Sequence, residues 1–256
     1  MYVRKWSFKE TNLLIKCDEE RAIDAVIEAS LQARREIESF IAKYPEFRWS
    51  LEPLKLSGEH LRVIELMLKS GKIAEVGPFA AVAGAISQVA AEAAQRAGAK
   101  NVIIENGGDI AIAGNQEFRV GVFAGNAEGS GKIGFLIRPA ELPIGICTSS
   151  GTVGHSTSFG EADAVAVIAR EASVADAAAT SIANAVKGAD VKLSVNLGLA
   201  RAKQIPEIQG CLVVKEKYFG TWGRLPELIK LTPDSHELST TSKNYHNYGL
   251  ELTPVL

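Results

Sequence analysis

The stretch that decides the fold is residues 145–186, GICTSSGTVGHSTSFGEADAVAVIAREASVADAAATSIANAV. A turn of small and hydroxyl-bearing residues with one Cys and one His comes first. The apolar run 163–169 then predicts a buried strand, and the alanine-rich segment 173–187 predicts a helix that ends at Gly188. Packing alone does not require this mixture, so the stretch is also a candidate functional site.

The turn at residues 147–151, CTSSG, follows the apolar Ile144 and Ile146, which predicts a strand ending there. The loop that follows is rich in backbone N–H groups and hydroxyls, which suit oxygen-rich ligands. Gly151 allows close backbone approach to a ligand, and His155 adds a group that titrates near neutral pH. The alternative is an ordinary Ser/Thr/Gly turn with a buried cysteine.

Asp176 and Thr180 are four residues apart in the predicted helix and therefore share one face. A carboxylate and a hydroxyl in that arrangement suit a hard cation such as Mg²⁺. The competing interpretation is a helix start, in which Ser173 caps the helix and Asp176 stabilises its first turn.

A second candidate motif lies upstream at residues 105–109, ENGGD, between the predicted strands 102–105 and 110–113. Asn-Gly is a strong hairpin signal, so an ordinary turn explains part of the pattern. Glu105 and Asp109 also flank a backbone without side chains, as in a ligand-binding turn. By contrast, the glycines of residues 129–134 lead into another strand, which favours a plain turn over a dinucleotide fingerprint.

Together these segments resemble the ApbE superfamily, the FAD:protein FMN transferases. TSSG is similar to the T-S-G turn of the family, VADAAAT to its A-D-A-x-x-T helix, and NVIIENGGDIAIA to its strand–GGD–strand motif. VGPFAAVAG, residues 76–84, sits where the family has a G-x-x-x-K-G helix start. The resemblance covers residues 70–190 and implies a reduced ApbE-like α+β fold, a mainly antiparallel sheet with covering helices.

The resemblance also implies a small-molecule ligand, FAD or FMN, with Mg²⁺ as a further cofactor. It assigns the metal to Asp176 and Thr180. The ligand-binding residues that it implies come from the two turns: Glu105, Asn106, Gly107, Gly108, Asp109, Thr148, Ser149, Ser150 and Gly151.

Two departures from the family pattern predict little or no protein flavinylation. The family carries a longer, His-rich insert with a D-P-x-T-G stretch between the turn and the strand, whereas this chain has only TVGHSTSFGEA. The lysine of the helix start is also absent, because Ala81, Val82 and Ala83 fill that region.

Cys147 suggests a different function. A thiolate beside hydroxyls and near His155 would accept or relay sulfur, and these two residues are then the catalytic candidates. Cys17 and Cys211 lie in apolar runs and are predicted to be inert. A third hypothesis is a non-enzymatic binding or assembly protein.

Composition restricts the partners and the cellular location that we expect for the protein. The chain has 256 residues, 46% of them hydrophobic, and a net charge of −2 without a basic stripe, which argues against nucleic acid as a partner. We find no apolar run of membrane-spanning length and no paired cysteines, so we expect a cytoplasmic protein without a membrane partner. The sequence is compatible with a homo-oligomer.

We predict one domain over residues 1–231 and a polar tail over 232–256. Within the domain, residues 2–8 and 11–17 are expected to form a hairpin, and residues 19–43 a helix capped near Asp18. Further helices are predicted at 59–70 and 77–98, and a strand at 211–217.

Overall fold

The structure is a computed structural model that describes residues 1–122, 133–149 and 160–230. Its main element is an eight-stranded antiparallel sheet. The spatial order of its strands is β1-β2-β3-β4-β7-β8-β9-β10, and a three-stranded sheet has the order β11-β6-β5. In chain order the strands are β1 (Tyr2–Phe8), β2 (Thr11–Cys17), β3 (Val102–Asn106), β4 (Asp109–Ala113), β5 (Phe118–Val122), β6 (Ile133–Ile137), β7 (Ile144–Ser149), β8 (Ala164–Ala169), β9 (Ile208–Lys215), β10 (Tyr218–Gly223) and β11 (Glu227–Lys230).

Six α-helices occur in the part of the chain that the structure describes. They are α1 (Ala22–Lys43), α2 (Glu46–Trp49), α3 (Arg62–Ala74), α4 (Val82–Arg96), α5 (Ala172–Ala185) and α6 (Val191–Ala202). Short 3₁₀ turns, Pro78–Ala81 and Pro139–Glu141, precede α4 and β7.

Strand alternation gives the large sheet two buried faces. One face, with Ile15, Ile104 and Val167, forms the main core against the helices. The other, with Ile103 and Ile146, packs with side chains of the small sheet, such as Phe135, in a second core. The α+β class with a mainly antiparallel sheet and covering helices is therefore confirmed.

Helices α4 and α5 approach each other and the sheet closely because the residues at their contacts are mostly glycine and alanine. A Cβ at Gly84 of α4 would collide with the carbonyl oxygen of Ala172 and lie 2.8 Å from Cβ of Asp176. A Cβ at Gly145 of β7 would lie 2.6 Å from the backbone nitrogen of Ala172. The alanine-rich composition thus fixes α5 between α4 and β7.

Several boundaries differ from the predicted ones. Helix α1 begins at Ala22, and Asp18 does not cap it, because its carboxylate accepts the N–H groups of Lys100 (2.9 Å) and Asn101 (3.1 Å). Asp18 therefore ties the end of β2 to the entry of β3. Helix α3 runs 62–74 rather than 59–70, and the segment predicted as one helix from 77 to 98 divides into a 3₁₀ turn and α4.

Helix α6 was not predicted; Asp190 caps it by accepting the N–H of Leu193 at 2.9 Å. The predicted strand 211–217 is β9, which starts at Ile208 and ends at Lys215. The predicted glycine turn at 129–132 and the tail at 232–256 lie outside the described residues.

No single helix in the described ranges is long and apolar enough to cross a membrane. Arg62–Ala74 and Pro78–Arg96 meet the length and composition criteria only as a pair, bent by 109°.

Candidate functional site

The two sequence motifs meet at one edge of the helix-covered face of the large sheet. Strand β4 starts at Asp109, directly after the two glycines, and Asp109 pairs with Cys147 of β7. A Cβ at Gly108 would lie 4.0 Å from the carbonyl oxygen of Thr148. The two motifs therefore lie on adjacent strands as far as Ser149, whereas Ser150, Gly151 and His155 lie outside the described residues.

Helix α5 brings a second carboxylate to Asp109. Asp176 Oδ2 accepts the backbone N–H of Gly84 at 2.8 Å, and the N–H of Ala83 also donates to this carboxylate. Asp176 therefore caps the start of α4 and not that of its own helix. Thr180, one turn further along α5, is half-buried.

The predicted helix start at Ser173 and Asp176 is wrong, because the N-cap of α5 is Glu171. Ser173 lies inside the helix, and its backbone N–H and its hydroxyl donate to Oε1 of Gln88, at 3.3 and 3.2 Å. Both side chains of the apparent capping motif thus bind α4, which leaves the carboxylate of Asp176 beside Asp109.

Two polar atoms at this edge are buried and have no hydrogen-bond partner among the residues described, Asp109 Oδ1 and Ser149 Oγ. An unpaired buried polar atom costs about 1–3 kcal/mol, so native proteins rarely retain one without a reason. Both atoms belong to residues that the sequence motifs had singled out. These two unpaired atoms make this edge of the sheet the candidate site.

The two carboxyl groups hold their protons more tightly than ordinary aspartates. Burial, and next the negative charge of Asp176, raises the pKa of Asp109 well above its usual range, although the Cys147 thiol and the Thr148 N–H oppose the shift. Burial raises the pKa of Asp176 to about 7, against the opposing hydrogen bonds from Gly84 and Ala83. A divalent cation would remove this penalty, because it replaces the lost solvation and neutralises both charges.

Cys147 pairs with Asp109 on the neighbouring strand and is fully buried. Its thiol donates to the carbonyl oxygen of Ala172 at 3.2 Å. Burial, and next the charges of Asp109 and Asp176, raises the pKa of Cys147 well above the ordinary thiol value. The sulfur-relay hypothesis needs a lowered pKa, whereas burial and these two carboxylates act in the opposite direction. Its second residue, His155, lies outside the described residues, so the hypothesis stays a prediction.

Strand alternation divides the ENGGD motif between the two faces of the sheet. Glu105 pairs with Leu14 and Ile110 and shares their face, opposite the face of Asp109. Burial raises the pKa of Glu105 to about 7, although Lys16 and Lys5 lower it. The expectation that Glu105 and Asp109 flank one ligand surface is therefore wrong.

Asn106 faces the helices, in contrast to Glu105. Its side-chain amide donates to the carbonyl oxygen of Ala83 at 3.4 Å, and its oxygen accepts the N–H of Asn12 at 3.3 Å. Asn106 thus holds the start of α4 against the sheet. Gly107 and Gly108 form the turn with positive φ angles of 67° and 108°, a conformation that favours glycine.

Sequence reasoning missed two residues of this region, Ser87 and Gln88. Ser87 is fully buried, and its hydroxyl donates to the main-chain carbonyl of Asp109 at 2.8 Å. The signal was present in the sequence, since these adjacent polar residues interrupt an otherwise alanine-rich helix.

The site offers few protein ligands for a metal. Within residues 1–122, 133–149 and 160–230, no group of three or more His, Cys, Asp and Glu side chains is arranged to hold an ion. Two carboxylates nevertheless fit Mg²⁺, which commonly binds one or two protein carboxylates and completes its shell with water and substrate phosphates.

A groove of about 600 Å³ lies elsewhere, between α1 and the segment that leads into α3, where it is lined by Phe40, Tyr44 and His60 among others. It has no connection to the motif residues. The orphaned polar atoms are the stronger indication of function, because an open groove between helices needs no ligand to explain it.

Comparisons with known proteins agree with this architecture. The family model described as AbpE bacteria matches residues 4–202. A UPF0280 protein of Methanococcus aeolicus is 43% identical over 232 residues, which are 90% of this chain and 93% of the relative. A UPF0280 protein of Methanocaldococcus jannaschii is 42% identical over 224 residues, 87% and 91% of the two chains.

Two solved structures share the fold. The flavin transferase ApbE from Vibrio cholerae has a TM-score of 0.57 at 13% identity, over 86% of this chain and 96% of that one. The apo form of the flavinyl transferase ApbE from Pseudomonas stutzeri has a TM-score of 0.52 at 12% identity, over 93% and 96%. At these identities the likeness concerns the fold.

Proposed function

The chain belongs to the family described as AbpE bacteria, and on that premise we propose that it binds a flavin- or nucleotide-type ligand through a divalent cation held by Asp109 and Asp176. The ligand class follows from the ApbE-like family and fold. Mg²⁺ is the cation that best suits carboxylate oxygens together with ligand phosphates.

The observation that carries the proposal is the buried Oδ1 of Asp109, which has no hydrogen-bond partner among the described residues, near the half-buried carboxylate of Asp176. A metal-free site of this kind is electrostatically unfavourable, because burial acts against ionisation of both carboxyl groups and the charge of Asp176 acts further against ionisation of Asp109. A bound divalent cation would satisfy Oδ1 of Asp109 and neutralise the two carboxylates, and it would supply a positive charge to ligand phosphates. No hydrogen-bonding side chain among the described residues does so.

The surrounding residues have distinct roles in this proposal. The turn at Gly107 and Gly108 offers bare backbone, so that a pyrophosphate can approach without steric conflict. The orphaned hydroxyl of Ser149 can donate to a ligand oxygen. Thr180 supplies a hydroxyl one turn along α5 from Asp176, as a further cation ligand.

Titration calorimetry with FAD, with and without Mg²⁺, tests this function. We expect Mg²⁺ to tighten FAD binding at least about 10-fold, and Asp109→Asn and Asp176→Asn to abolish that gain. Asp190→Asn is the control, because Asp190 caps α6 away from the pair. ADP in place of FAD separates nucleotide from flavin recognition. FAD and ADP binding that is absent, or that Mg²⁺ does not change, would contradict the proposal.

A further inference from the structure

Helix α4 touches both elements that carry the carboxylate pair. Within one and a half turns it offers the N–H of Gly84 to Asp176, the hydroxyl of Ser87 to the backbone of Asp109, and the side chain of Gln88 to Ser173. None of these three contacts involves the cation-binding oxygen atom Asp109 Oδ1. They fix instead where the two carboxylates stand relative to each other.

The Ser87 contact controls the strand side of the site. Ser87 is fully buried, and its hydroxyl lies 2.8 Å from the main-chain oxygen of Asp109. Asp109 is the first residue of β4 and follows two glycines, so its backbone has little restraint on the turn side. The hydrogen bond from Ser87 supplies that restraint and fixes the distance between the backbone of Asp109 and α4.

The Gln88 contact controls the helix side. Oε1 of Gln88 accepts both the N–H and the hydroxyl of Ser173, three residues before Asp176 on α5. Ser173 is fully buried, so its two donors find no water as a substitute. Gln88 therefore restrains the rotation of α5 about its axis and its translation relative to α4.

Close packing keeps this arrangement from sliding. A Cβ at Gly84 would collide with the backbone of Ala172, and one at Gly145 would meet the same residue from β7. Helix α5 is thus enclosed on two sides by backbone. The hydrogen bonds of Ser87 and Gln88 select one position within that narrow space.

We propose that Ser87 and Gln88 are positioning residues that set the separation of Asp109 and Asp176 and so the affinity and selectivity of the pair for divalent cations. This inference rests on the proposed function. Mg²⁺ demands near-ideal octahedral geometry, whereas Ca²⁺ accepts flexible coordination. Residues that orient metal ligands change metal affinity about 10–100-fold when they are replaced.

Manganese binding measured by electron paramagnetic resonance tests the inference without any assay of activity. We expect Ser87→Ala and Gln88→Ala each to weaken Mn²⁺ binding about 10-fold or more. Competition with Ca²⁺ should show a smaller loss for Ca²⁺ than for Mn²⁺, because Ca²⁺ tolerates a misplaced carboxylate. Ser87→Thr, which keeps the hydroxyl, should recover most of the affinity.

Two matched controls separate positioning from general destabilisation. Ser30 of α1 is another fully buried helix serine, whose hydroxyl donates to the carbonyl of Val26 at 2.7 Å. Gln95 is an exposed glutamine on α4 itself. Ser30→Ala and Gln95→Ala should bind Mn²⁺ as the unmodified protein does, even where Ser30→Ala lowers the melting temperature.

The outcomes are distinct. Unchanged Mn²⁺ affinity in Ser87→Ala and Gln88→Ala, with binding lost in Asp176→Asn, overturns the positioning role and leaves the proposed function intact. An equal loss in Ser30→Ala, or equal losses for Mn²⁺ and Ca²⁺, overturns it as well, because the effect is then one of stability. Absence of Mn²⁺ binding in the unmodified protein, with and without FAD, overturns both proposals.

Discussion

Burial raises the pKa of three carboxyl groups, Glu105, Asp109 and Asp176, on two different faces of the sheet. The cause is the same, loss of water around a charge, but the neighbours differ. The negative charge of Asp176 raises the pKa of Asp109 further. The charges of Lys16 and Lys5 instead lower the pKa of Glu105. Because Glu105 lies on the opposite face of the sheet, we expect its burial to affect stability rather than cation binding.

Replacement of Glu105 by Gln should remove part of the pH dependence of stability. The pKa of this carboxyl is about 7 in the folded protein and about 4.3 in the unfolded chain. The folded state therefore binds the extra proton between these values, so stability falls as pH rises from about 4 to 7. Glu105→Gln should thus be more stable than the unmodified protein at pH 8, by about 4 kcal/mol at most, with the difference vanishing near pH 4.

Urea unfolding at pH 4.5 and pH 8 measures this difference, with the exposed Glu28→Gln on α1 as the matched control. A Glu105→Gln variant that is less stable than the unmodified protein at pH 8 would show that the ionised carboxylate is stabilised there.

Cys147 should resist alkylation in the native protein. The thiol is fully buried, and both its burial and the nearby carboxylates raise its pKa, which suppresses the reactive thiolate. Iodoacetamide at pH 8, followed by peptide mass spectrometry, should modify Cys147 only after unfolding. Rapid modification in the native state, with a rate that titrates below about 8.5, would restore the sulfur-transfer hypothesis.

At the scale of single residues, the sequence indicated Asp109, Ser149 and Asp176 correctly as members of one region. It could not indicate that Asp176 caps α4, because Gly84, whose N–H donates to Asp176, lies 92 residues away in sequence. Nor could a loop pattern show that Glu105 and Asp109 diverge, since the faces depend on where each strand begins.

At the scale of elements, the α4–α5 contact determines the site. The two helices approach each other most closely at Gly84. The atoms around it are the backbone of Ala172 and Cβ of Asp176, which cannot move aside. The alanine-rich pattern predicted helices that pack closely. It did not predict α6, because Leu193 and Leu197 are exposed there and obscure the apolar period.

Gly84→Ala should destabilise the protein by about 1–3 kcal/mol, the usual range for forced overpacking, and should weaken cation binding because the added methyl pushes Asp176 away from Asp109. Gly198→Ala in α6 is the matched control, since its Cβ would first meet only the end of the Val186 side chain. Urea unfolding of both variants gives the comparison. A Gly84→Ala variant as stable as Gly198→Ala would contradict the packing account.

At the scale of the whole molecule, three ordered motifs sufficed to predict the family and the α+β fold, because their order along the chain is far more specific than any single motif. The three-stranded sheet was not predictable in the same way. It forms when β11 pairs with β6, across about 90 residues of sequence, and no local pattern encodes that contact.

The whole chain is also the scale at which transfer activity must be judged. Since the D-P-containing insert and the helix-start lysine of the family pattern are absent, we expect no covalent FMN on a standard acceptor protein incubated with FAD and Mg²⁺. Intact-mass analysis detects the modification, and an ApbE flavin transferase serves as the positive control. FMN on the acceptor that Asp176→Asn abolishes would show that these segments are dispensable for transfer.

The central claim is that Asp109 and Asp176 hold one cation together. Anomalous diffraction from crystals soaked with Mn²⁺ and FAD, at concentrations that saturate FAD binding, locates the ion directly. We expect one strong peak between the two carboxylates, within about 2.0–2.6 Å of an oxygen of each, the range of Mg²⁺ and Ca²⁺ sites, and we expect its loss in Asp176→Asn. A saturated crystal whose manganese peak lies away from both carboxylates would contradict the claim.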